Sequence, residues 1–98
     1  MDKSFISVKI SGDSMWPSLL DGDIIEFSTI TNQVIKLNDI IVFNHPLKRE
    51  VICVKRVKQI SENRYFVQGD NPDPTSSEDS HNFGLIDRKN IFAILQNE

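Results

Sequence analysis

The sequence predicts an all-β fold, and three observations carry that prediction. Short apolar runs with two-residue alternation recur from end to end. Turn signals built from Gly, Asp, Asn and Pro separate them. No stretch of about a dozen residues carries the 3.6-residue apolar period of a helix.

The elements follow in order. Phe5 to Ile10 puts Ile6, Val8 and Ile10 on one side, as in a half-buried strand. A Ser/Gly/Pro loop follows, then the turn Asp21-Gly22-Asp23 and the strand Ile24 to Phe27. Thr29 to Lys36 is polar without a clear period. Leu37-Asn38-Asp39 turns into the compact apolar strand Ile40 to Phe43, which His45-Pro46 ends, because Pro cannot extend a central ladder. Glu50 to Ile60 is the longest strand expected, with Ser61-Glu62-Asn63 as a hairpin connection into Tyr65 to Gln68. Gly69 to Ser80 reads as a long loop, a feature that in small domains is usually functional or disordered. Phe83 to Ile86 returns to apolar character. Asp87 to Asn90 suits one turn of helix, and Ile91 to Leu95 suits a last strand.

Ninety-eight residues without repeats or a linker suit one small domain, 1–98. Eleven basic and fourteen acidic side chains give a net charge of −3 with no basic stripe, which argues against a nucleic-acid partner. Cys53 is the sole cysteine, so an internal disulfide is excluded. The longest apolar run, Ile91 to Leu95, is far short of the roughly 20 residues that span a bilayer. Met1 to Ser4 lacks the layout of a secretion signal. The expectation is a soluble, cytoplasmic protein without a transmembrane segment, with peripheral membrane association left open.

Three stretches carry chemistry. In the first, Ser14 lies between Gly12 and Pro17, where the backbone must bend. Such a bend holds a hydroxyl out into a cleft beside free N–H groups, as an acyl-transfer nucleophile requires. The same composition also makes an ordinary Ser/Asp/Pro turn. In the second stretch, strand alternation groups Val51, Cys53, Lys55 and Val57 on one face and Ile52, Val54, Arg56 and Lys58 on the other. Lys55 thus falls on the more apolar face, where desolvation lowers an amine pKa and makes a general base without histidine. The alternatives are that Lys55 snorkels to water or that the strand is an edge with its opposite face buried. In the third stretch, Gly69-Asp70-Asn71 signals a tight turn, and Ser76 to Ser80 supplies hydroxyls able to orient an amine. Asp79 suits pairing with a cation or bonding to its own loop. His45 and His81 are too few and too isolated to suggest a metal site. Cys53, between apolar neighbours, reads as a small core residue.

Gly12-Asp13-Ser14-Met15-Trp16-Pro17-Ser18-Leu19 with Asp21-Gly22-Asp23 resembles the nucleophile box of type I signal peptidases. Asp39 to Phe43 looks like a strand of the same enzymes, and Val54-Lys55-Arg56-Val57 like their catalytic-lysine box. Gly69-Asp70-Asn71 with Ser77-Glu78-Asp79-Ser80 and Gly84 resembles their last box. Any one box is weak, but four in the family's order cover nearly all of the chain from Gly12 to Ile86. The resemblance implies a β-domain of the signal peptidase and SOS-repressor protease type, with mixed, partly barrel-like sheets, and a Ser–Lys dyad.

Carried over residue by residue, Ser14 is the nucleophile, Lys55 the general base and Ser77 the hydroxyl that steers the lysine. Asp79 is the box's acidic residue, with His81 where the family has an arginine. Gly12 stands where a hydroxyl oxyanion donor is common, which leaves the oxyanion to backbone N–H groups, that of Ser14 first. Gly12, Asp13, Met15, Trp16, Pro17, Asp70, Asn71 and Asp79 are the expected supporting residues. Trp16 is expected to pack or cap, with lining a substrate pocket or touching a membrane as alternatives.

The implied activity is a serine endopeptidase that removes an N-terminal segment from a protein or propeptide bound as an extended chain, without cofactor or metal. The short chain without an anchor looks like the proteases that mature nickel-type superoxide dismutase. The alternatives are a self-cleaving regulator of the SOS-repressor type and a non-catalytic peptide-binding module.

Overall fold

The computed structural model describes residues 4–76 and 78–95. It is all-β, as expected: seven strands form one sheet, and every pairing is antiparallel rather than mixed. They are β1 (Phe5–Lys9), β2 (Ile24–Thr29), β3 (Ile40–Asn44), β4 (Ile52–Ser61), β5 (Arg64–Gln68), β6 (Ile86–Asp87) and β7 (Ile91–Ile94), in the spatial order β1-β2-β7-β3-β4-β5-β6. One helical turn, α1 (Ser80–Phe83), and 3₁₀ turns at Pro74–Ser76 and Arg88–Asn90 complete the described chain.

The central strand explains its own composition. Ile41 and Phe43 enter one apolar cluster with Val57, Tyr65, Val67 and Ile86. Ile40 and Val42 enter a second, with Ile10, Met15, Leu19 and Phe27. A strand buried on both faces must be apolar throughout, which is why Ile40 to Phe43 shows no alternation.

β4 serves two neighbours in succession. Ile52 to Arg56 pairs with β3, whereas β5 pairs only from Arg56 onward. A register shift between Val57 and Gln59 marks the changeover, as a bulge does where a strand bends. The expected strand began too early: Glu50 takes a positive φ of 62° in the preceding turn. Val51 therefore lies outside β4, is 40% exposed, and adds nothing to the wall around Lys55. Phe83 lies in α1, and Gly84 ends that turn at a φ of 86°, a region open to glycine.

Candidate active site

The loop bearing Ser14 is pinned from below by apolar anchors and from the side by hydrogen bonds. Met15 and Leu19 are buried in the second cluster. At the base of the loop the Ile10 N–H donates to the Asp23 carbonyl at 2.8 Å, and the Gly22 N–H to the Ile10 carbonyl at 2.7 Å. The carboxylates of the Asp-Gly-Asp turn reach back as caps: Asp21 Oδ1 accepts from the Gly12 N–H at 2.7 Å, and Asp23 Oδ2 from the Leu20 N–H at 2.9 Å. The Trp16–Pro17 peptide is cis. Trp16 is 47% exposed, whereas Met15 beside it is buried.

Asn71 clasps the same loop from outside. Its backbone N–H donates to the Ser14 carbonyl at 2.9 Å, and its side-chain Nδ2 to the Asp13 carbonyl at 2.8 Å. Asp70 accepts from Ser18 Oγ at 2.6 Å, and Arg56 holds that carboxylate with two bonds, Nε–Oδ1 at 2.9 Å and Nη2–Oδ2 at 2.7 Å. Arg56 Nη1 also donates to the Asn38 carbonyl at 2.7 Å. Burial pushes the Asp70 carboxyl up, but the bonds from Arg56 and Ser18 outweigh it and hold the group below the usual carboxylate range. The sequence reading missed Arg56 and Ser18. The available signal was an arginine next to the lysine, on the opposite face of the strand, and an aspartate in the turn box.

Lys55 lies on the β4 face shared with Cys53 and Val57 and is only 6% exposed, which rules out snorkelling. Burial lowers its pKa; the nearby charges of Cys53, Asp79 and Glu78 partly offset the fall. Cys53 packs partly against the core, as expected, but it also lines the cleft, and burial raises its thiol pKa. Ser77, expected to steer the Lys55 amine, lies outside the described residues.

Ser14 and Lys55 meet in one cleft of about 530 Å³. Ile6 to Ser11 form one wall and Ile52 to Lys55 the other, over Met15 and Phe92. Among the described residues no hydrogen bond joins the two side chains, and no acceptor takes the Ser14 N–H. In an empty site such catalytic contacts are often open and tighten on substrate.

The far loop is fastened at two points. His45 is buried; its Nδ1 accepts from the Leu47 and Lys48 N–H groups at 3.0 and 3.1 Å, so the ring proton sits on Nε2. Nε2 donates to Glu78 Oε1 at 3.0 Å, and Lys48 Nζ reaches the same oxygen at 3.3 Å. The hydrogen bonds from His45 and Lys48 lower the Glu78 pKa. Asp79 accepts from the His81 N–H and from His81 Nδ1, both at 2.9 Å, while Asn82 Oδ1 accepts from the Asp79 N–H at 3.0 Å. His81 thus pairs with Asp79, and Asp79 and Asn82 form a capping box at the start of α1. Among the described residues no group of three His, Cys, Asp or Glu side chains is placed to hold a metal. No described helix is long and apolar enough to cross a membrane.

The chain belongs to the Peptidase S24-like family, whose profile matches residues 2–89. At the general level of that family it is a serine peptidase. No curated protein matched the chain.

Proposed function

We propose that the chain is a Ser–Lys endopeptidase that removes an N-terminal segment from a protein substrate. The observation that carries this reading is the shared cleft, with a loop serine on one side and a buried, pKa-lowered lysine on the other. The neutral Lys55 amine takes the Ser14 proton as Oγ attacks the scissile carbonyl. The tetrahedral oxyanion is held by the free Ser14 N–H, with Gly12 supplying no hydroxyl. The Lys55 ammonium then protonates the leaving amine, and the acyl-Ser14 ester forms. Water deprotonated by Lys55 hydrolyses that ester and restores both groups. Ser77 steers the amine.

An extended substrate suits the two walls. β1 is an edge strand, paired only with β2, and the first half of β4 is paired only with β3. Each wall therefore offers backbone groups for strand addition. The nickel superoxide dismutase propeptide is the finer reading, on the resemblance alone. The test compares protein N-termini in cells carrying the wild-type chain or Ser14→Ala. Precursors that keep an N-terminal segment should accumulate with the variant. Identical N-termini, or self-trimming of the purified chain at high pH with no other substrate, would replace this reading.

A further inference from the structure

We propose that Lys9 makes the cleft selective for a substrate strand with an acidic side chain close to the scissile bond. The inference rests on the peptidase reading and concerns which chains enter.

Along β1, Ile6 and Val8 are half-buried and pack on the second apolar cluster, while Phe5, Ser7 and Lys9 are exposed. A strand added to this edge repeats the alternation. One set of its side chains lies over Ile6, Val8, Met15, Val54 and Phe92, an apolar floor. The other set lies beside Ser7 and Lys9. Lys9 is the last residue of β1, and the chain turns at Gly12 to reach Ser14, so the substrate residue beside Lys9 is within a few residues of the bond attacked.

The charge of the cleft is one-sided. Among the described residues its charged lining consists of Lys9 and Lys55, with no carboxylate, although the whole chain carries fourteen acidic side chains to eleven basic ones. Lys55 is buried and serves as the base. Lys9 makes no ion pair among the described residues. Opposite charges on neighbouring strands stabilise their pairing and like charges oppose it. The swing between an acidic and a basic substrate residue is about fivefold in kcat/KM at low salt, and it shrinks as salt screens an exposed pair.

The test uses a pool of random decapeptides, with cleavage sites read by mass spectrometry for wild type, Lys9→Gln and Lys9→Glu. Wild type should favour Asp and Glu over Lys and Arg at one position near the cut. Lys9→Gln should flatten that preference and Lys9→Glu invert it. An unchanged profile in Lys9→Glu, or no acidic preference in wild type, would overturn the inference. A second arm measures which peptides are retained by Ser14→Ala with and without Lys9→Glu. If nothing is cleaved yet acidic peptides are retained through Lys9, the catalytic reading fails and the charge selection by Lys9 stands. Retention without charge preference, or no retention and no cleavage, overturns it.

Discussion

Ser14 and Lys55 reach the same cleft by opposite means. Ser14 sits on an exposed loop held by polar clasps: Asp21 on the Gly12 N–H, Asn71 on two carbonyls, and Asp70 on Ser18. Lys55 sits in a strand held by a regular ladder to β3, with Ile41 as its partner, and is buried. A nucleophile needs a hydroxyl presented to substrate, and a turn presents one at the cost of depending on every bond that shapes it. A lysine base needs desolvation, which a packed strand supplies without dedicated partners.

Removing each reacting group tests the contrast most sharply. Ser14→Ala should lower cleavage on the order of 10⁶-fold, the scale for loss of a serine peptidase nucleophile. Its melting temperature should barely move, because the hydroxyl faces the cleft and not the core. Near wild-type cleavage would remove Ser14 from the reaction.

Lys55→Met should lose at least about 10²–10⁴-fold in rate at every pH, while the wild-type rate rises with pH through the lowered lysine pKa. Stability should move the other way. A folded pKa below the unfolded one means the unfolded chain binds the proton more tightly, so burial costs stability. That cost builds as pH falls from the unfolded pKa to the folded one and stays constant below, at about 1.4 kcal/mol per unit of depression. Denaturant titrations across that window should show Lys55→Met as stable as wild type above it and more stable below. A variant that unfolds would show the strand relying on the amine.

Ser77→Ala should reduce kcat by roughly 10–100-fold, equivalent to about 1.4–2.7 kcal/mol, and shift the pH–rate inflection. Wild-type kinetics would mean that the last-box match is wrong or that another hydroxyl, such as Ser76 or Ser80, substitutes.

Asp70→Asn attacks the loop alone. It should cost about 1–2 kcal/mol, between the values for exposed and buried pairs, and lower kcat by roughly tenfold with KM little changed. Because the folded carboxyl pKa is depressed, its contribution is present above about pH 4 and is lost as pH falls through the folded value. The stability gap between wild type and variant, measured by urea unfolding, should close in acid. Trp16→Ala should do least, changing stability by no more than about 0.5 kcal/mol, since the indole is half exposed. A larger loss would mean the indole anchors the loop after all.

The sequence by itself determined what depends on neighbours along the chain. Alternation around Lys55 placed it on the face of Cys53 and Val57, and the unbroken run of Ile40 to Phe43 marked a buried strand. The ordered boxes single out Ser14. These are local signals, because the two-residue period is a property of the backbone.

Only the tertiary structure decided which distant groups meet. Ser14 and Lys55 share a cleft because β1 and β4 stand at separate places in the sheet and leave facing edges open. The Arg56–Asp70–Ser18 chain joins three segments that no periodicity relates. Val51 falls outside β4 because the turn at Glu50 delays the strand, and Trp16 is half exposed beside the buried Met15. Each of these outcomes turns on how loops close and which side chain fits a space already shaped by others, and a strand's own pattern carries no record of that.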